Sequence, residues 1–160
     1  MEGKKETAEE VMTGNKTMPR LTLHKGEKLR HRSQVEGLFR EGKSIYEFPL
    51  RIAWRLIDRK KLESSFRTGV PPRVDNLQML ITVPKKKLRK AVERVKMRRR
   101  IREAYRLNRM PLKIALDEAE GDRYLQLGII YIHNECLDYG DVEKKMRKII
   151  GKLGEKIRET

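Results

Sequence analysis

The chain has 160 residues, of which 39 are Lys or Arg and 23 are Asp or Glu, for a net charge of +16. That length suits one domain, and 38% hydrophobic residues with 6% aromatics support one modest core. No apolar run approaches the ~18 residues of a membrane span, no secretory segment follows Met1, and the lone Cys136 has no internal disulfide partner. Membrane, secreted and disulfide-stapled classes are therefore not expected, and a cytoplasmic location is.

Taken in chain order, residues 1–20 are polar and balanced in charge, and are expected to be a disordered tail ahead of a folded unit at 21–160. Ser33 and Glu36 have the spacing of a capping box. They predict a helix of about two turns carrying Val35, Leu38 and Phe39 on one face and stopping at Gly42. In 50–57, Leu50, Ile52, Trp54 and Leu56 alternate with Arg51, Ala53 and Arg55, the period of a strand with one basic face. Residues 58–76 read as a long strand–strand loop, with Gly69 and the Pro71-Pro72 pair. Alternation resumes over 77–83 and ends at Pro84, which has no amide to give to a ladder.

Residues 85–109 read as mostly helical, in two phases. Met97, Ile101, Ala104, Tyr105 and Asn108 share one stripe, while Leu88, Val92 and Val95 fall nearly opposite. Either the regular helix begins around 90–94, or its first turn meets a different neighbour. The continuous apolar sequence of 124–133 predicts a central strand covered on both faces. Val142, Met146, Ile149, Ile150, Leu153 and Ile157 predict a final helix, with Asp138 or Asp141 to cap it and Gly151 and Gly154 weakening its end.

The charge is a site rather than a background. Residues 85–109 hold thirteen basic and two acidic groups, about two thirds of the whole excess. Within them Arg94, Arg98, Arg102 and Arg106 form an i, i+4 ladder, with Arg99 and Arg109 adjacent. A charge run more often marks a solvated face, or here a localisation signal. A solvated helix, however, intersperses Glu with Lys, and a forked guanidinium suits phosphate oxygens better than an ammonium does. Nucleic-acid binding is the reading the ladder favours. Beside it, Phe39 has a core reading and a base-stacking one, and Arg51 and Arg55 suit a groove along a single strand. His24, His31 and His133 are scattered, His133 and Cys136 lack a second pair of metal ligands, and no catalytic constellation occurs.

The stretches 29–42 (LRHRSQVEGLFREG), 81–87 (ITVPKKK) and 90–108 (KAVERVKMRRRIREAYRLN) resemble, in that order, motifs of the bacterial ribonuclease P protein subunit. The resemblance covers about residues 28–157. It implies an α+β fold, a single two-layer domain of order αβββαβα with a left-handed βαβ crossover, of the kind ribosomal proteins also use. It implies an accessory subunit of an endoribonuclease that matures the 5′ ends of tRNAs. Catalysis then belongs to an RNA subunit with magnesium ions; the protein carries no catalytic residue, metal or cofactor of its own. The implied partners are that catalytic RNA and precursor tRNA, with no membrane and no obligate protein partner. Carried over, Lys85, Lys86, Lys90, Arg94, Lys96, Arg98, Arg99, Arg102 and Arg106 contact the RNA subunit. Val35, Phe39, Arg51, Ala53, Arg55 and Thr82 line a cleft for the 5′ leader. This chain departs from the family pattern at Val95, where Asn is usual, and at Val35 and Ala53, where aromatics occur. The competing reading is a ribosomal-protein-like structural binder of ribosomal RNA.

Overall fold

Alternating burial builds the middle of the molecule. In the computed structural model, which describes residues 21–160 apart from 67, 72 and 73, four strands form one sheet. They are β1 (Lys43–Glu47), β2 (Leu50–Asp58), β3 (Leu77–Thr82) and β4 (Arg123–Tyr131), in the spatial order β1-β2-β4-β3. β2 pairs antiparallel with both β1 and β4, and β3 lies parallel to β4. β4 is central and buried along nearly its whole length, as its continuous apolar sequence predicts. The predicted tail, 1–20, lies outside the described residues.

One sheet face carries the main core. Leu50, Ile52 and Trp54 of β2 and Leu125, Leu127 and Ile129 of β4 pack there against three helices. These are α3 (Ala91–Asn108), α4 (Met110–Glu118) and α5 (Tyr139–Glu159). α5 is capped by Asp138, whose side chain accepts from the Asp141 amide at 3.1 Å, and it runs through Gly151 and Gly154 without a break. α3 and α4 together make the crossover from β3 to its parallel neighbour β4.

On the opposite face lies α1 (Arg32–Glu41), whose Leu38 packs with Leu29 and Ala53. Two glycines let it come close. A Cβ on Gly37 would stand 2.6 Å from the Arg55 guanidinium, and one on Gly128 of β4 would stand 2.9 Å from the Phe39 ring. The predicted capping box does not form. α1 begins at Arg32, and the Ser33 hydroxyl donates to the Ser65 carbonyl at 3.1 Å, a tertiary partner that outcompetes the local one.

The segment 58–76 is not all loop. Asp58 accepts from the Lys61 amide at 2.8 Å and caps a six-residue helix, α2 (Arg59–Ser64), whose Leu62 is buried against Ile57 and Tyr124. α3 begins at Ala91, so Leu88 reaches the core from a turn ahead of the helix. Val92 and Val95 face outward, 74% and 39% exposed, rather than against a second neighbour. Arg109, expected beside the ladder, is fully buried where α3 meets α4. Its guanidinium donates to Glu27 at 2.8 Å and to the carbonyls of Leu21 and Thr22 at 3.1 and 3.2 Å. Glu27 ends a short 3₁₀ turn, Lys25–Glu27, so the pair ties the segment before α1 to the corner of the crossover.

Candidate nucleic-acid interface

Burial of Met97, Ile101, Ala104 and Tyr105 fixes which way α3 faces. At 3.6 residues per turn, the residues between them point to solvent. Lys96, Arg99 and Arg102 are exposed and Arg98 is half-buried on the flank. Among the described residues, none of these four forms an ion pair. Lys85 and Lys86 are exposed on the turn after Pro84, and Lys90, also exposed, is the residue just before the first helical turn.

The other two rungs are occupied. Arg94 donates to the carbonyls of Leu88 and Arg89 at 2.9 and 2.7 Å, which fastens the turn to the helix without cancelling its charge. Arg106 is paired with Glu103 through two hydrogen bonds of 2.9 and 2.7 Å. That pair holds the Glu103 carboxyl below the usual carboxylate range and raises the Arg106 guanidinium.

Several cations of α5 are spent on the fold. Lys145, Lys148 and Lys152 of α5 converge on Glu47 at the end of β1, at 3.6, 3.4 and 2.6 Å. The hydrogen bond from Lys152, with Lys148 adding to it against the opposing pull of burial, brings the Glu47 carboxyl down to about 2. Arg147 pairs with Glu143 and Arg158 with Glu118. The contrast leaves α3 as a helix face with a dense set of open positive charges, which is what a polyanion needs.

The face of the sheet beneath α1 places the second set of residues. The register puts Ser44, Ala53, Gly128 and Leu80 in one row across the four strands, and Tyr46, Arg51, Ile130 and Thr82 in the next. α1 covers the first row, and Ala53 is only 3% exposed. The second row lies beyond Phe39, which is 43% exposed and rests its ring edge above Gly128. The surface between Phe39 and this row is the candidate groove. Arg51 takes part in it, donating to the Ser44 hydroxyl at 3.1 and 3.3 Å and lying 5.9 Å from the Tyr46 ring. Both partners are neutral, so its charge is free for a phosphate. Thr82 is half-buried, and Val35 packs beside Leu38 and Ala53.

Arg55 does not line this groove. It is 8% exposed beneath α1, donating to Gln126 at 2.7 Å, to Glu41 at 3.1 Å and to Gln34 at 3.4 Å. Strand alternation puts Arg51 and Arg55 on the same face but does not say which of them a helix covers. Tyr46, 58% exposed, and Ile130 belong to the groove and escape the sequence reading. β1 carries a single buried residue, Ile45, so its register against β2 has too weak a pattern to place Tyr46.

Among the described residues no cluster of His, Cys, Asp and Glu is placed to hold a metal ion. No helix there is long and apolar enough to cross a membrane. The described surface offers positive charge and aromatic faces.

Comparison with known proteins gives the family and the fold. A family model described as Ribonuclease P matches residues 23–154. The chain is 35% identical over 130 residues to the ribonuclease P protein component of Porphyromonas gingivalis, covering 81% of this chain and 85% of that protein. In fold it is similar to the RNase P protein of Staphylococcus aureus, with a TM-score of 0.54 at 14% identity over 81% of this chain and 96% of that one. It is also similar to the RNase P protein of Thermotoga maritima, with a TM-score of 0.54 at 22% identity over 79% of this chain and 96% of that one. With an open cationic helix and a family match along most of the sequence, the chain belongs to the ribonuclease P protein family and is a ribonuclease P protein subunit.

Proposed function

We propose that this subunit docks through α3 onto the catalytic RNA of the ribonuclease P holoenzyme and holds the 5′ leader of precursor tRNA in the groove beside Phe39. The observation that carries the reading is the set Lys96, Arg98, Arg99 and Arg102, unpaired among the described residues, while five cations of α5 are engaged in ion pairs with Glu47, Glu143 and Glu118. Lys85, Lys86 and Lys90 extend that set, and Arg94 adds its charge at the helix start. Arg106 contributes as half of a neutral pair.

Cutting then belongs to the RNA subunit with its magnesium ions. The protein lowers phosphate–phosphate repulsion between the two RNAs, which lets them and their counter-cations approach. In the groove Phe39 and Tyr46 offer ring faces to unpaired bases, and Arg51 offers charge to the phosphate between them.

The test uses the full chain reconstituted with its RNA subunit. Protein alone cleaves nothing, and Phe39→Ala weakens binding of leader-bearing precursor by the loss of one stacked base, about 1–3 kcal/mol. Binding of mature tRNA is unchanged. Equal losses for precursor and mature tRNA remove the groove from the leader path.

A further inference from the structure

A second concavity, of about 310 Å³, opens beside the other flank of α1. Gln78 of β3 lines it and stands in the row of Gln126 and Arg55, which Gln34 of α1 covers; Phe39 stands one row further on, above Gly128. The helix thus separates this pocket from the groove. Lys25, Lys28 and Arg30 surround it, and none of the three forms an ion pair among the described residues. Pro71 and Val74, from the 58–76 segment, supply an apolar wall. His31 closes one side, its ring held edge-on to Phe66 at 4.7 Å.

The backbone that carries these cations is anchored before any ligand arrives. The Leu29 amide donates to the Met79 carbonyl at 2.9 Å, and the Asp75 amide donates to the Gly26 carbonyl at 3.2 Å. Glu27, between Lys25 and Lys28, is locked to Arg109. Gln78 is 6% exposed, yet its Oε1 has no hydrogen-bond partner among the described residues. A buried acceptor left unpaired is costly, and a donor brought by a ligand relieves that cost. A lone phosphate brings acceptors, so it satisfies the cations but neither Gln78 nor the apolar wall. A nucleobase edge carries an N–H beside an acceptor, the complement of a side-chain amide, and its ring suits the wall.

We propose that this pocket takes one unpaired nucleotide of an RNA, with its base against Gln78 and Val74 and its phosphates on Lys25, Lys28 and Arg30. A turn of the Gln78 amide presents Oε1 to the base. That the nucleotide comes from RNA rests on the ribonuclease P reading; the pocket's preference for a nucleotide does not.

The experiment titrates the full chain with AMP, UMP, ribose 5-phosphate and inorganic phosphate, following backbone amide, side-chain amide and methyl NMR signals. At least one mononucleotide is expected to bind threefold or more tightly than ribose 5-phosphate and to move the Gln78 and Val74 signals. Gln78→Leu should erase that difference, and Lys28→Ala with Arg30→Ala, both at exposed positions, should weaken every ligand. Equal affinity for nucleotide and ribose 5-phosphate in the unaltered chain overturns the proposal, as do shifts confined to Phe39 and Arg51. In the reconstituted holoenzyme, 4-thiouridine placed throughout either the RNA subunit or the precursor should crosslink to residues 25–31 from one of them. Crosslinks from neither RNA overturn the assignment to RNA while leaving α3 docking intact.

Discussion

The open charge on α3 can be measured as a salt slope. Arg98 and Arg102 lie one helical turn apart, and neither has an acidic partner among the described residues. If each engages one phosphate, Arg98→Ala/Arg102→Ala releases two fewer counterion equivalents. The slope of log affinity against log salt then becomes shallower by about 1.4 to 1.8. Between 50 and 200 mM salt the variant loses about 7- to 12-fold less affinity than the unaltered chain does. The assay is equilibrium binding of a labelled RNA subunit across a potassium chloride series at fixed magnesium. The control is Glu103→Ala/Arg106→Ala, which deletes a pair already closed by hydrogen bonds of 2.9 and 2.7 Å and leaves the net charge unchanged. Its slope should match that of the unaltered chain. A shift below about 0.5 in the Arg98/Arg102 variant, or an equal shift in the control, refutes the argument that pairing decides which arginines meet RNA.

Other outcomes follow from the packing. Glu27→Gln leaves the Arg109 guanidinium buried without a counter-charge and should cost about 3–5 kcal/mol in urea unfolding; a loss under about 1 kcal/mol means that the pair is not holding the corner. Gly37→Ala gains up to about 1 kcal/mol of helix propensity but drives a methyl into the Arg55 guanidinium, which is fixed by three partners, so it should be destabilising on balance. Gly128→Ala meets the outer end of an exposed ring at 2.9 Å and Leu38 at an ordinary 3.4 Å, and should be tolerated better; the reverse order in thermal melts contradicts this. For Glu47, the folded carboxyl lies at about 2, below its ordinary 4.5. Its contribution is therefore complete above about pH 4.5 and disappears as pH falls toward 2. Glu47→Gln should flatten that stretch of the stability curve, and an unchanged acid limb excludes the lysine cluster as its source.

Legibility in the sequence followed the strength of each periodic signal. β2, β4 and α5 have patterns long enough to fix both their type and the side they bury. β1 has one buried residue, and α4 starts directly after α3 behind a proline in its first turn, so a pattern read along the chain passes over both. Pro111 is tolerated there because first-turn amides need no helical acceptor. For the site, composition finds the basic helix but cannot sort its arginines. Whether a guanidinium faces solvent (Arg102), a carboxylate on the next turn (Arg106) or a buried glutamate 82 positions away (Arg109) is settled by tertiary neighbours. The same limit applies to Arg51 and Arg55, which share a strand face and differ only in lying beside or beneath α1.

Gly128 reaches beyond its own contacts. Because β4 carries no side chain there, the height of Phe39 above the sheet is set from the interior, at a buried position. Exposed residues such as Tyr46 can therefore vary while the clearance between helix and sheet stays constant. Tuning which strand is recognised and keeping room for any strand at all are tasks assigned to different amino acids.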